Sequence, residues 1–127
     1  MSMAIERGDS ATVLRTVSGS DTAASAGSGD LDVLGTPSLL AWCEEATCAA
    51  LELDIDSTSV GTRIRIDHLA ASPVGEEVTA TATVTHVDGR LLKFEVVAHD
   101  ARDHVIAHGE IQRVIVDRDR FMSRLNR

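Results

Sequence analysis

Gly35-Thr36-Pro37-Ser38-Leu39-Leu40-Ala41-Trp42-Cys43-Glu44-Glu45-Ala46-Thr47-Cys48-Ala49-Ala50-Leu51 is the one long segment of this chain with a helical hydrophobic period. Thr36 followed by Pro37 predicts its start. A hydroxyl acceptor stands at the N-cap, then a proline at the first helical position, where a missing N–H costs nothing. Leu39, Cys43, Ala46, Ala50 and Leu53 recur at three- and four-residue steps and fall on one face. The spacing predicts a single buried helix ending near Asp54. Everything downstream reads as β, so the helix packs on a sheet.

Two carboxylates interrupt this helix, and a helical wheel separates them. Glu44 falls beside Leu40, Thr47 and Leu51, at the edge of the apolar face, while Glu45 falls with Ala41, Cys48 and Glu52 on the weaker side. A carboxylate at the margin of a buried face is paired, protonated or put to use, because a charged and unpartnered one is costly. Glu44 is therefore the candidate functional acid. The plainer reading is a side chain that reaches solvent at the helix edge.

Working outward, 127 residues make one domain with one core, spanning 1–127. An apolar share of 43% argues against disorder. No apolar run approaches the ~20 residues of a membrane span, and no stretch resembles a signal peptide. Cys43 and Cys48 point to different sides of the predicted helix, so no disulfide is expected and the cytoplasm is the default location. A net charge of −8 with dispersed basic residues argues against nucleic acid as a partner. Only Arg118, Arg120, Arg124 and Arg127 group together, either as a solvated face or against an anionic part of a ligand. The aromatics Trp42, Phe94 and Phe121 offer no stacking platform for bases.

In chain order, residues 1–9 read as a loose lead-in. Ala11 to Val17 follows as a first strand, and Ser18 to Asp30 is a long Ser/Gly/Ala loop with a short helical turn at 21–26. After the helix, Val60 to Leu69 is a strand with Ile64, Ile66 and His68 on one side and Arg63, Arg65 and Asp67 on the other. Val78 to Val87 alternates cleanly between apolar residues and threonines. Asp88-Gly89 predicts a type I′ hairpin into Leu91 to Asp100. Val105 to Val116 is the last strand, and Asp117 to Leu125 is a terminal helix anchored by Phe121 and Leu125. Tight turns force antiparallel pairing, so the fold class is α+β: a five- or six-stranded antiparallel sheet with one long helix. One helix covers one face, which leaves the other face or an edge for solvent or a second subunit. A homodimer is favoured.

Five histidines invite a metal reading. His104 and His108 share a strand parity, with His99 on the neighbouring strand, but two residues four apart on a strand lie ~13 Å from each other. No metal site is expected. What remains is Thr36, Glu44 and His68. Thr36 and Glu44 stand ~12 Å apart along the helix axis, so they flank a ligand rather than touch. The first helical turn also exposes backbone N–H groups suited to an oxyanion. A carboxylate, a histidine, a hydroxyl and oxyanion donors are the parts that acyl transfer to water requires.

The run Gly35-Thr36-Pro37 with Glu44-Glu45-Ala46, then Gly61-Thr62 leading into His68-Leu69-Ala70-Ala71-Ser72-Pro73-Val74-Gly75, then Val84-Thr85-His86-Val87-Asp88-Gly89-Arg90, resembles the hot-dog-fold acyl-CoA thioesterases. Within them it is most similar to the fluoroacetyl-CoA thioesterase group, over roughly residues 11–122. The resemblance implies a hot-dog sheet wrapped around the helix, with a catalytic set of Thr36, Glu44 and His68. Glu44 would be nucleophile or water-activating base, His68 would assist proton transfer, and Thr36 would position Glu44 or the substrate. Gly61 and Pro37 would contribute to substrate binding. The resemblance further implies hydrolysis of a small or medium acyl-CoA without a metal or redox cofactor, in a homodimer whose active sites lie at the interface; further pairing to a tetramer stays open. The group's phenylalanines before the helix have no counterpart in residues 27–34, which implies a broader or different acyl group. The rival reading is a non-catalytic acyl-CoA binding module. A hydratase would want an Asp and a His in close succession, and only Asp103 and His108 offer that spacing.

Overall fold

The computed structural model of the chain describes residues 4–126. The elements are β1 (Ser10–Thr16), a 3-10 turn (Gly19–Asp21), α1 (Ala23–Ala26), α2 (Thr36–Ala49), β2 (Ser57–His68), β3 (Glu77–Asp88), β4 (Leu91–His99), β5 (Val105–Asp117) and α3 (Arg118–Ser123). The strands form one antiparallel sheet in the order β1-β3-β4-β5-β2. The sheet wraps around α2, which gives the expected α+β hot-dog architecture with five strands.

Burial follows the alternation. Val78, Ala80, Ala82 and Val84 of β3 and Leu92, Phe94, Val96 and Ala98 of β4 are all buried, as are Leu39, Trp42, Cys43 and Ala46 of α2. Small alanines at the centre of β3 let the helix lie close to the sheet, and Phe94 and Leu92 fill the space beside it. The opposite face carries hydroxyls: Thr12 of β1 and Thr81 of β3 face each other and share a 2.8 Å hydrogen bond. That face is suited to water, so the sheet's open edges, β1 and β2, are what remain for pairing.

Several expectations are corrected. Gly35 is the N-cap of α2, with no side-chain cap, and Thr36 is already helical. Its hydroxyl is engaged elsewhere. The helix stops at Ala49 rather than near Asp54, so Ala50 and Leu53 pack at the core's rim. The β3–β4 hairpin turns on Gly89-Arg90, because Asp88 still pairs with Leu91. Only Gly89 has a positive φ (59°), the pattern of a type II′ rather than a type I′ turn. Leu125 is 65% exposed and anchors nothing. In the lead-in, Met1–Met3 lie outside the described residues. From Ile5 onward the segment is tied down: Ile5 packs against the core, and Gly8 and Asp9 exchange backbone hydrogen bonds with Val84, each 2.8 Å.

Two irregularities of β2 and β5 position the site. Gly61 pairs with Arg113 but Arg63 pairs with Gln112, so Thr62 is an extra residue and the strand bulges there. The bulge reverses the alternation. Ser59 and Gly61 before it, and Ile64, Ile66 and His68 after it, lie opposite Ile115, Arg113, Ile111, Gly109 and Ala107 and therefore share the helix-facing side. Further along, Gly109 passes so close to β2 that a methyl group there would overlap the Arg65 carbonyl.

Candidate active site

Thr36 is brought to His68 across 32 residues of chain. Its Oγ1 lies 2.8 Å from His68 Nδ1, at the junction between the first turn of α2 and the end of β2. Two connections hold this junction: Leu34 N–H donates to the Ser72 carbonyl at 2.8 Å, and Val33 bridges Pro73. The Pro73-Val74-Gly75 turn thus pins the approach to the helix against the strand end. Burial holds the His68 imidazole below the usual histidine value of 6.5, partly offset by a backbone hydrogen bond at Ala70. His68 is therefore neutral at pH 7 and able to accept or pass a proton.

Glu44 lies two helical turns further on and meets different groups. Its Oε2 is 3.5 Å from Arg113 Nη1, and the two side chains are 36% and 8% exposed. Arg113 is anchored from behind, donating from Nε to Ser59 Oγ (2.8 Å) and from Nη2 to the Ser59 carbonyl (3.0 Å). Gly61 completes this corner, since a Cβ there would stand 3.0 Å from Glu44 Oε2. The absence of a side chain lets the carboxylate lie against the strand. Glu45 is different: it pairs with Arg15 of β1 on the exposed side. The wheel's distinction between the two acids holds.

Within the chain the expected residues form two separate groups rather than one. Thr36, with Pro37 beside it in the first turn, joins His68; Glu44 joins Gly61 and Arg113. Arg113 was missed in the sequence, although it shares strand parity with Ile111 and Ile115. A charge on an apolar face was the signal. The remaining candidates do not converge. Asp103 sits in the β4–β5 turn with a φ of 65°, and His108 faces Asp67 on the outer side of the sheet. Among the described residues no three His, Cys, Asp or Glu side chains gather as a metal site. The two thiols are unpaired and unlike: Cys48 is exposed, whereas burial and the neighbouring Glu44 push the Cys43 thiol up to about 11.

The sequence profile of the fluoroacetyl-CoA-specific thioesterase (FlK) family matches residues 17–119. The fluoroacetyl-CoA thioesterase of Streptantibioticus cattleyicolor is 39% identical over 67 residues, 53% of this chain and 48% of that protein. The matched segment thus spans about half the length of that relative. A solved variant of a fluoroacetyl-CoA thioesterase in complex with acetyl-CoA is 26% identical, with a TM-score of 0.89 over 96% of this chain and 97% of that one. A hot-dog-like protein from Thermanaerovibrio acidaminovorans is 27% identical, with a TM-score of 0.86 over 95% and 90% of the two chains. With a match that covers most of its length and spans both groups of residues, the chain belongs to the fluoroacetyl-CoA-specific thioesterase family.

Proposed function

We propose that this protein hydrolyses a small or medium acyl-CoA thioester to the free acid and coenzyme A, with Glu44 as the base. The observation that carries this reading is the seat of Glu44. One carboxylate oxygen is turned to Arg113 and the Gly61 backbone, and Ser59, which holds Arg113, lines the neighbouring groove. Glu44 takes a proton from water as the water oxygen bonds to the thioester carbon. The resulting oxyanion is met by a backbone N–H, with that of Gly61 beside Glu44 as the donor. The C–S bond then breaks and the sulfur leaves with the proton. Neutral His68, held by Thr36, assists that transfer. No metal or redox group enters the scheme.

A homodimer unites the two groups. β2 is an open edge strand, and its bulge puts Gly61 and His68 on one face. Antiparallel pairing of β2 with a second copy, about a two-fold axis midway between these residues, would set the partner's His68 opposite Gly61 and Glu44. A cytoplasmic location agrees with the unpaired thiols. Acyl specificity is expected to be broader than for a fluoroacetyl enzyme. The segment before α2 presents Leu31, 65% exposed, and no aromatic ring.

The test is release of free thiol from a panel of acyl-CoAs by the wild type, Glu44→Gln and His68→Asn. Turnover by the wild type and its loss in both variants supports the assignment. Equal rates for all three would remove it. Saturable binding of a CoA ester with no turnover would make the chain an acyl-CoA binding module instead.

A further inference from the structure

Among the described residues, two buried side-chain atoms have no hydrogen-bond partner: His68 Nε2 and Ser72 Oγ. A polar atom enclosed in that way forfeits its bonds to water and gains nothing in return. Both atoms belong to one turn of the chain. After His68, the Leu69 and Ala70 N–H groups donate to the same acceptor, the Ile106 carbonyl, at 2.7 and 3.3 Å, and the backbone doubles back toward Ser72. Ser72 itself is 1% exposed.

The approach to α2 ties these two residues to each other. Leu34 N–H donates to the Ser72 carbonyl, while Thr36 bonds His68 at Nδ1. Leu34 and Thr36 are two residues apart, at most ~7 Å, so Ser72 and His68 are anchored on either side of Gly35. That segment has no slack, since a Cβ on Gly35 would stand 3.0 Å from the Ala23 nitrogen. No charged side chain competes for the ring. The first turn of α2 carries no acid, and β5 presents Ala107 opposite His68. Asp67 bonds Arg65 on the outer side, Glu76 accepts the Ala101 N–H, and Asp32 is exposed. The groups left for Nε2 are neutral: the Ser72 hydroxyl and the backbone at Ala70.

We propose that Ser72 is a positioning residue for His68, its hydroxyl serving Nε2 through one buried water. A water held in this way needs roughly two to four polar partners, and Ser72 Oγ, His68 Nε2 and the Ala70 carbonyl supply them. A hydroxyl suits the task because it both donates and accepts. While the imidazole is neutral, the link offers a hydrogen to a bare Nε2. Once the ring takes up a proton, the link turns round and accepts from Nε2–H. Thr36 does the same at Nδ1, so the ring is held at both nitrogens in both charge states. Without Ser72 the imidazolium would keep one enclosed N–H unanswered, and the charged form would be disfavoured further. The consequence for turnover rests on the hydrolytic reading; the link between Ser72 and His68 does not.

The experiment follows the His68 ring by nitrogen-resolved NMR against pH in the wild type, Ser72→Ala and Ser72→Thr, with His68→Asn to assign the signal. The expected result is a His68 titration moved to lower pH in Ser72→Ala and returned to the wild-type position in Ser72→Thr. For the best acyl-CoA substrate, kcat should fall about tenfold in Ser72→Ala, with KM moved less than about twofold, and Ser72→Thr should recover it. An unmoved His68 titration in Ser72→Ala overturns the link. So does a Ser72→Ala variant that melts above the wild type, since an idle buried hydroxyl is better replaced by a methyl group. If Ser72→Ala does not fold, Ser72→Cys takes its place, because a thiol of similar shape is a weak donor and acceptor; a lowered titration supports the link and an unmoved one rejects it. If no acyl-CoA is turned over by the wild type, the hydrolytic reading fails by itself, and the NMR titration still decides whether Ser72 serves His68.

Discussion

Gly61 and Glu44 are matched in size, the missing Cβ of one making room for the carboxylate of the other at 3.0 Å. Gly61 is not among the glycines with a positive φ, so Gly61→Ala introduces no backbone strain and only displaces Glu44. A shift of that kind misaligns the base. We expect kcat to fall by ~10- to 100-fold with little change in melting temperature. A variant of unchanged kcat would separate Gly61 from the reaction.

Glu44 is also the counter-charge of Arg113, so its replacements should part company in stability. Glu44→Gln retains an amide oxygen for the guanidinium, whereas Glu44→Ala leaves Arg113 buried against Ser59 alone. Both should lose activity by ~10²-fold or more. Only Glu44→Ala should lose ~1 kcal/mol of stability, the value kept small because Glu44 is partly exposed. Denaturant midpoints of the two variants measure this.

Thr36 tests whether its hydroxyl serves the helix or the histidine. As an N-cap it would stabilise α2, and Thr36→Val would cost ~1 kcal/mol. In the structure it sits inside the helix and bonds His68. Thr36→Val should therefore lower kcat by ~10-fold at nearly unchanged stability, and Thr36→Ser should restore it.

The depressed His68 value fixes a pH dependence. Burial disfavours the charged imidazole in the folded protein, so the unfolded chain binds the proton more tightly. Stability contributed by this group is complete above 6.5, and it is lost as pH falls from there toward the lower folded-state value. With neutral His68 as the active form, kcat/KM should stay level on acidification below 6.5 before it declines. His68→Asn should remove this ionisation from the stability profile. Calorimetric melting between pH 5 and 8 and a pH–rate profile read both.

Edge pairing through β2 predicts a particle of two chains. Ile64, on the helix-facing side of that edge and 40% exposed, should be covered in the dimer. Ile64→Lys should yield single chains by light scattering and lose activity with them. A wild type that runs as one chain, yet hydrolyses thioesters, would refute the shared site.

The alternation of β3 and β4 and the period of α2 were legible because each depends on local spacing alone. β3 and β4 bury the residues the pattern names, whereas α2 buries Leu39, Cys43 and Ala46 of it together with Trp42 and Thr47 and leaves Ala50 and Leu53 at the rim. The site was less legible for the same reason. By strict alternation Gly61 and His68, seven residues apart, face opposite sides, and only the extra residue at Thr62 brings them together. A bulge is a property of two strands, and nothing in the spacing of one strand announces it. The cap of α2 failed similarly: Thr36 has the right chemistry for an N-cap, but a tertiary partner, His68, claimed its hydroxyl. Arg113 shows the opposite case, a residue missed although its parity with Ile111 and Ile115 placed a charge on the apolar face.

The inequality of the two cysteines has a practical outcome. An alkylating probe reaches the Cys48 sulfur and leaves Cys43 sealed, because the latter is both enclosed and reluctant to ionise. A fluorophore attached at Cys48 would ride one helical turn beyond Glu44, on the wall of the groove. The native chain thus carries its own labelling position for watching ligands arrive.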